Sequence, residues 1–305
     1  EAAIPRASGL RRLDAALRGS LAGTLAAMDS FYEGSPAAHV SLLVDRWVLH
    51  DMRTLIRLPD PPNVADVSVL LVPAGRLDGP ALAELSRLPD VRSRVELAVA
   101  WNLPSPATAR MVVPALATFE RTGNRSILER AYAEAFGARL GEVLGSEPTR
   151  SARVLRTEID LKNLLSALRL SEARRAGEPS PSDEYSPFTP GGMRDMDTWE
   201  SLRSEDDPER VAAEAGSGWG FSGWQDALTA WLRHGELTRL ADDLRRCLTA
   251  AALAGFVRGD PLGFDVPVAF MFAKEAEIRD LRLIGRAITH GIEEAEVMNR
   301  METAA

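Results

Sequence analysis

The sequence predicts an all-α chain made of three similar helical domains, and three observations carry that prediction. One amphipathic helical pattern is written three times at near-equal intervals, a proline–glycine turn follows two of the copies at the same place, and strand-like patterning is nearly absent. Residues 277–286 (EIRDLRLIGR), 160–169 (DLKNLLSALR) and 48–57 (VLHDMRTLIR) align without a gap. Their apolar columns are Leu49/Leu161/Ile278, Met52/Leu164/Leu281 and Ile56/Leu168/Gly285. The spacing i, i+3, i+7 places each set on one stripe of a helix. Polar columns recur too: His50/Lys162/Arg279, Asp51/Asn163/Asp280 and Arg57/Arg169/Arg286. The last two columns stand six positions apart, on different helix faces, so each must find its partner on another element. From Arg57 to Arg169 is 112 residues and from Arg169 to Arg286 is 117, which argues for a domain-sized internal repeat.

Taken in order, residues 9–31 read as a helix with Leu10, Leu13, Leu17, Leu21 and Leu25 along one side. The first repeated helix follows over 40–58 and is stopped by Pro59, Pro61 and Pro62. Residues 67–72 form the one stretch that reads as extended, leading into Pro73-Ala74-Gly75-Arg76 and a helix over 79–100. The stretch 103–114 carries three prolines and reads as a connection between repeats. A helix over 126–144 opens on Ser126 as cap with Glu129 as its capping-box partner. The second repeated helix covers 149–171, and 177–190 is the longest loop candidate. That loop runs into Thr189-Pro190-Gly191-Gly192-Met193-Arg194, at the same place in the cycle as Pro73 to Arg76. A helix over 195–215 then mirrors 79–100, and a Gly-rich stretch at 215–224 closes the copy. The third copy has helices over 235–257 and 266–291, separated by Gly259-Asp260-Pro261-Leu262-Gly263. The repeats are therefore bounded as 1–112, 113–225 and 226–305.

The chain has 305 residues, beyond the size at which a single core stops growing, so two or three subdomains are expected. A net charge of −8 argues against a nucleic-acid-binding surface, which depends on clustered Lys and Arg. Cys247 is alone, which excludes an intrachain disulfide and suits a reducing compartment. No apolar run approaches the roughly 18 residues that span a bilayer, so a soluble or peripheral protein is expected. The first residue is Glu1 with no Met and no signal pattern, and residues are expected to be missing ahead of it.

Nothing in the sequence reads as catalytic, and no cofactor or metal site is expected. His39, His50, His234 and His290 lack metal-ligand spacing, and the pairs Asp206-Asp207 and Asp242-Asp243 read as solvated helix surface rather than a magnesium site. Gly216, Gly218, Gly220 and Gly223 imitate a dinucleotide loop, but a helix precedes them and Trp219 and Trp224 are interleaved, so a packed turn is expected. There is no GxxxxGK[ST] loop and no GxSxG elbow. The recurring Arg57, Arg169 and Arg286 read as buried or half-buried guanidinium groups tying helices together. Gly285, where the other copies have Ile56 and Leu168, implies the close approach of a backbone or a large side chain.

The run 272–286 (FAKEAEIRDLRLIGR), the three helix copies and the two Pro-x-Gly loops together resemble the C subunit of the bacterial and archaeal V/A-type rotary ATPases and ATP synthases, a relative of the d subunit of the eukaryotic V-ATPase. Two departures stand out: that family carries a further helical stretch before the first repeat, and the acidic position of the motif is Val48 in copy one. The resemblance implies a non-catalytic funnel of three domains about a pseudo-threefold axis. It would sit peripherally on the cytoplasmic rim of the membrane proteolipid c-ring and hold the D and F subunits of the central stalk in its mouth, in a complex that translocates protons or sodium. The candidate interface loops are those of Pro73, Gly75 and Arg76 and of Pro190, Gly191, Gly192 and Arg194. The competing classes are an unrelated helical-repeat scaffold or regulator and, more distantly, an all-helical prenyl-diphosphate lyase. The lyase needs two facing acidic clusters that the sequence lacks.

Overall fold

Leucines spaced for one helix face decide which side of the first helix is buried. In the computed structural model, which describes residues 9–63, 67, 70–145, 149–177, 186–216 and 218–302, helix α1 (Leu10–Phe31) buries Leu17, Leu21, Leu25 and Met28. It packs on α2 (Gly34–Arg57), the first repeated helix, which begins earlier than its apolar pattern suggests. The chain divides into two compact units, residues 1–139 with 273–305, and residues 140–272. All the described elements are helical and no strand occurs among them; the one β-bridge joins Ala74 to Leu77.

In the first unit, α3 (Gly79–Leu85) and α4 (Val91–Ala100) replace the single helix expected over 79–100. Pro89 removes an N–H and disfavours helix at Leu88, and Asp90 restarts the chain by accepting the Ser93 N–H at 2.8 Å. The expected connection at 103–114 is instead helix α5 (Pro106–Thr122). Its prolines are tolerated because Pro106 occupies the first turn, where the missing N–H has no intrahelical partner to lose, and Pro114 lies on the exposed side. Ser105 caps it and Gly123, at φ 69°, ends it. The expected capping box of α6 (Ser126–Leu144) is also corrected: Ser126 is already helical, its N–H is taken by Asn124 Oδ1 at 3.0 Å, and the Glu129 carboxylate receives Arg57 Nε at 2.8 Å. The extended stretch expected at 67–72 does not form a strand. Val67 is helical and Leu70 lies in a turn, while 68 and 69 fall outside the described residues. The Val72 N–H goes to the Asp51 carboxylate, where a ladder would have needed it.

The second unit is arranged on α7 (Arg150–Arg175), the second repeated helix, capped by Thr149 and burying Val154, Leu155, Leu161, Leu164 and Leu168. Most of the expected loop 177–190 lies outside the described residues. Beyond it, α8 (Met196–Leu202) and α9 (Pro208–Gly216) replace the one helix expected over 195–215. The break between them is fastened to the end of α7 by Arg174, which donates to Glu205 O at 2.7 Å, to the Asp206 carboxylate at 2.8 Å and to Arg203 O. Helix α10 (Trp224–His234), unread in the sequence, follows the Gly-rich turn, then α11 (Leu237–Leu253) and a single turn α12 (Gly255–Arg258). Helices α7, α9 and α10 pack in sequence with α11, which returns to α7. The third repeated helix is α13 (Asp265–His290), and a short α14 (Glu294–Arg300) ends the described elements.

The C-terminal end of α2 shows how the first unit satisfies its last carbonyls. Arg94 of α4 is fully buried and donates to Leu55 O at 2.6 Å, to Pro59 O at 3.1 Å and to the Asp60 carboxylate. Arg125 donates to Ile56 O at 3.0 Å, to Leu58 O and to the other oxygen of Asp60. Two cations thus cover orphan carbonyls at the negative end of the helix dipole. The recurring arginines do not share this role. Arg57 is 68% exposed although paired with Glu129, and Arg169 and Arg286 are exposed, because six positions beyond a buried polar residue the helix has turned to its outer side. Arg94→Met therefore leaves Asp60 and two carbonyls without their buried cation and is expected to cost about 3 kcal/mol or more. Arg169→Ala is expected to stay within about 0.5 kcal/mol. Urea denaturation of both variants checks the contrast, and equal midpoint shifts would contradict it.

Candidate interface loops and their buried anchors

Asp51, Asn163 and Asp280 occupy one column of the triplicated motif, and all three side chains are buried, at 0%, 2% and 4% exposure. A buried polar group without a partner costs on the order of 1–3 kcal/mol, so each of these must meet a donor or acceptor. Each meets the backbone of the segment that follows its helix. Asp51 accepts the Val72 N–H through both oxygens, at 3.0 and 3.2 Å. Asn163 pairs with Thr189 in both directions, accepting its N–H at 2.8 Å and donating to its carbonyl at 2.8 Å. Asp280 accepts the Glu302 N–H at 2.8 Å. In the first two copies the gripped residue stands immediately before the proline of the Pro-x-Gly loop, Pro73 or Pro190. In the third, Arg279 adds a bidentate pair to the Glu302 carboxylate at 2.8 and 2.7 Å.

Beyond the anchor the two loops are closed differently. In the first, Ala74 and Leu77 exchange backbone hydrogen bonds at 3.1 and 3.0 Å around Gly75 and Arg76. Gly75 has φ +53° and a Cβ there would come 2.9 Å from Val44 Cγ1, so both conformation and space call for glycine. Arg76 reaches across to the carbonyls of Trp101 and Asn102 at 3.0 and 3.3 Å. In the second, Asp160 takes the Met193 and Arg194 N–H groups at 3.0 and 3.4 Å. A Cβ on Gly192 would lie 1.9 Å from Asp160 Oδ1, so the loop reaches that carboxylate only through glycine. Beside each loop one apolar residue is left in solvent, Leu70 at 54% and Met193 at 43% exposure.

The sequence alone does not single out Asp160, although its column, Val48/Asp160/Glu277, holds an acid in two copies. Only the fold shows that Asp160 is buried and Glu277 exposed. Glu275 escapes sequence reasoning as well: buried at 5%, it receives Arg46 Nη2 at 2.8 Å and Trp47 Nε1 at 3.0 Å and joins α2 to the first-unit part of α13. At Gly285 a Cβ would come 2.3 Å from Leu13 Cδ2 of α1. The acidic pairs are taken up by arginines, Asp206 by Arg174, Asp242 by Arg245 and Asp243 by Arg246. Trp224 packs its ring on Gly216 and lies edge-on to Trp219 at 5.4 Å, filling the Gly-rich turn with aromatic rings. Among the described residues no three His, Cys, Asp or Glu side chains are placed to hold a metal ion, and no helix is long and apolar enough to cross a membrane.

The motif that carries these anchors lies within a match to the family model of the ATP synthase (C/AC39) subunit, which covers residues 1–300. The chain belongs to that family. Among curated relatives, it is 28% identical to the C subunit of the A-type ATP synthase of Halorubrum lacusprofundi, over 96% of this chain and 82% of the relative. It is 25% identical to the C subunit of the V-type ATP synthase of Deinococcus radiodurans, over 97% of this chain and 76% of that protein. The resemblance read from 272–286 is thus a family relationship along nearly the whole chain, and the loops above are those of a component of an ATP synthase complex.

Burial raises the Asp51 carboxyl to about 8, against the downward pull of the Val72 N–H. Asp160 is raised to about 7 for the same reason, opposed by the Met193 and Arg194 N–H groups. An unfolded aspartate releases its proton near ~4. Between that value and the folded one the native state holds the extra proton, so the contribution of each group to stability falls as pH rises through the window. Asp51→Asn copies the neutral group that Asn163 supplies in the second copy. It is expected to flatten the loss of stability between pH 5 and pH 8, removing a slope of up to about 1.4 kcal/mol per pH unit. Denaturation midpoints measured across that range check this; parallel profiles for the two proteins would mean that Asp51 is ionised throughout.

Proposed function

We propose that this chain is the non-catalytic adaptor of the central rotor in a V/A-type proton or sodium translocating ATPase or ATP synthase. In this reading it joins the D and F subunits of the shaft to the membrane proteolipid c-ring on the cytoplasmic side. Family membership places the chain in the class of complex, and the observation that carries the finer reading is the anchor used three times, at Asp51, Asn163 and Asp280. Three equivalent helix-to-segment clamps support an internal triplication with the repeat bounds 1–112, 113–225 and 226–305, and with it a funnel of pseudo-threefold plan. Such a plan can face a many-fold ring on one side and a single shaft on the other.

The loops around Pro73, Gly75 and Arg76 and around Pro190, Gly191, Gly192 and Arg194 are the proposed contact points. Their backbones are held by buried groups while Leu70 and Met193 remain exposed. Rigid backbone with exposed apolar residues suits docking, since little conformational freedom is lost on binding. The sequence carries no phosphate loop, so ATP chemistry is assigned to other subunits. Its net charge of −8 leaves contacts at the polar rim dependent on local charge pairs, and detachment is expected to be salt-sensitive.

The test is reconstitution of the complex with and without this chain, with ATP hydrolysis and ion pumping measured separately. Hydrolysis that persists while pumping collapses is the expected pattern, because the motor would turn a shaft joined to nothing. Full pumping in its absence would refute the coupling role.

A further inference from the structure

A cavity of about 250 Å³ opens in the second unit, between α7, α11 and the Gly-rich turn. One wall is the α7 face made by Arg150, Arg153 and Thr157, whose spacing i, i+3, i+7 puts them on one stripe. Leu248 of α11 and Phe221 of the Gly-rich turn also line it, the Phe221 ring stacked on Trp219 at 5.9 Å. Thr157 is 1% exposed and its hydroxyl has no hydrogen-bond partner. A mid-helix threonine ordinarily bonds the carbonyl four residues back; this one does not, and its residue lines the cavity. Neither Arg150 nor Arg153 forms an ion pair with a described residue. The backbone at Gly220 passes so close to Arg153 that a Cβ would lie 2.6 Å from Nη1. The start of α7 itself is already occupied, since Asp265 Oδ1 accepts the Ser151 N–H at 2.9 Å, so the open groups are side chains and not the helix terminus.

Two guanidinium groups and an unsatisfied hydroxyl around a small cavity with one aromatic side match a tetrahedral oxyanion bearing two or more acceptor oxygens. We propose that this cavity is a binding site for a small phosphate-bearing anion, gripped by Arg150 and Arg153, with Thr157 donating its hydroxyl proton to one phosphoryl oxygen. The site is independent of the adaptor role, because none of its residues lies in the proposed interface loops. The volume suits inorganic phosphate or a compact phosphomonoester and is below that of an ordinary drug-sized pocket.

The test is isothermal titration calorimetry of the full chain at constant ionic strength in chloride buffer, with inorganic phosphate, AMP and citrate as separate probes. Saturable one-to-one binding of phosphate is expected, with AMP competing for the same site. AMP binding the tighter would identify an organic phosphate lying along Phe221, and phosphate equal or tighter would identify the free ion. Replacing Arg150 and Arg153 together by Gln is expected to weaken binding at least tenfold. Thr157→Val is expected to weaken it about tenfold, the worth of one hydrogen bond to a charged group. In the unliganded protein the same variant is expected to raise the denaturation midpoint, because a buried hydroxyl without a partner has been removed. That opposite movement separates loss of the site from damage to the fold. Absence of saturable heat with phosphate and AMP, unchanged binding in the double arginine variant, or citrate binding as tightly as phosphate would each overturn the proposal.

Discussion

A buried side chain that can be satisfied only by the main chain of a distant segment is the interaction on which the rest of this structure depends. Asp51, Asn163 and Asp280 each sit on the inner side of a long helix, where water is excluded. The cost of leaving such a group unpaired exceeds the net gain of an ordinary hydrogen bond. The chain leaving the helix must therefore come back to a fixed point, 21 to 26 residues later, at Val72, Thr189 and Glu302. Where it comes back sets where the next helix begins. In the first copy α3 starts seven residues after Val72, and in the second α8 starts seven residues after Thr189.

Charges are handled by two different rules. In the first unit, fully buried Arg94 and half-buried Arg125 cover the last carbonyls of α2 and share Asp60, so removing Arg94 strips a buried carbonyl of its cation. On the outer faces, pairs such as Arg92 with Glu96, or Arg300 with Glu296, are solvated and contribute little. The same residue type thus fastens the fold at one position and only solubilises it at another, and burial decides which.

This difference explains what the sequence made legible. Periodicity found all three repeated helices, because a stripe of leucines and isoleucines has one stable arrangement, against other helices. It also marked the polar column that turned out to hold the anchors. It misjudged Arg169 and Arg286, since recurrence reveals that a residue is repeated but not whether its face is inside. Prolines misled in both directions: Pro89 broke a helix read as continuous, whereas Pro106 began one where a connection was read. The partners of Asp60 and Glu275 were beyond reach, because Arg94, Arg125, Arg46 and Trp47 come together only through tertiary packing. The family relationship was legible chiefly from the run at 272–286.

The glycines beneath the two loops carry one more consequence. At Gly75 the neighbour in the way of a side chain is Val44, and at Gly192 it is Asp160, both on the flanks of long helices rather than at their ends. A load applied at either loop therefore enters its helix from the side, through short polar and van der Waals contacts, part-way along the rod. A helix stretched along its axis yields by lengthening weak bonds in series, whereas one pressed at mid-span shares the load with every helix packed behind it. The loops are in this sense braced like brackets, each fixed against the flank of its helix rather than its end.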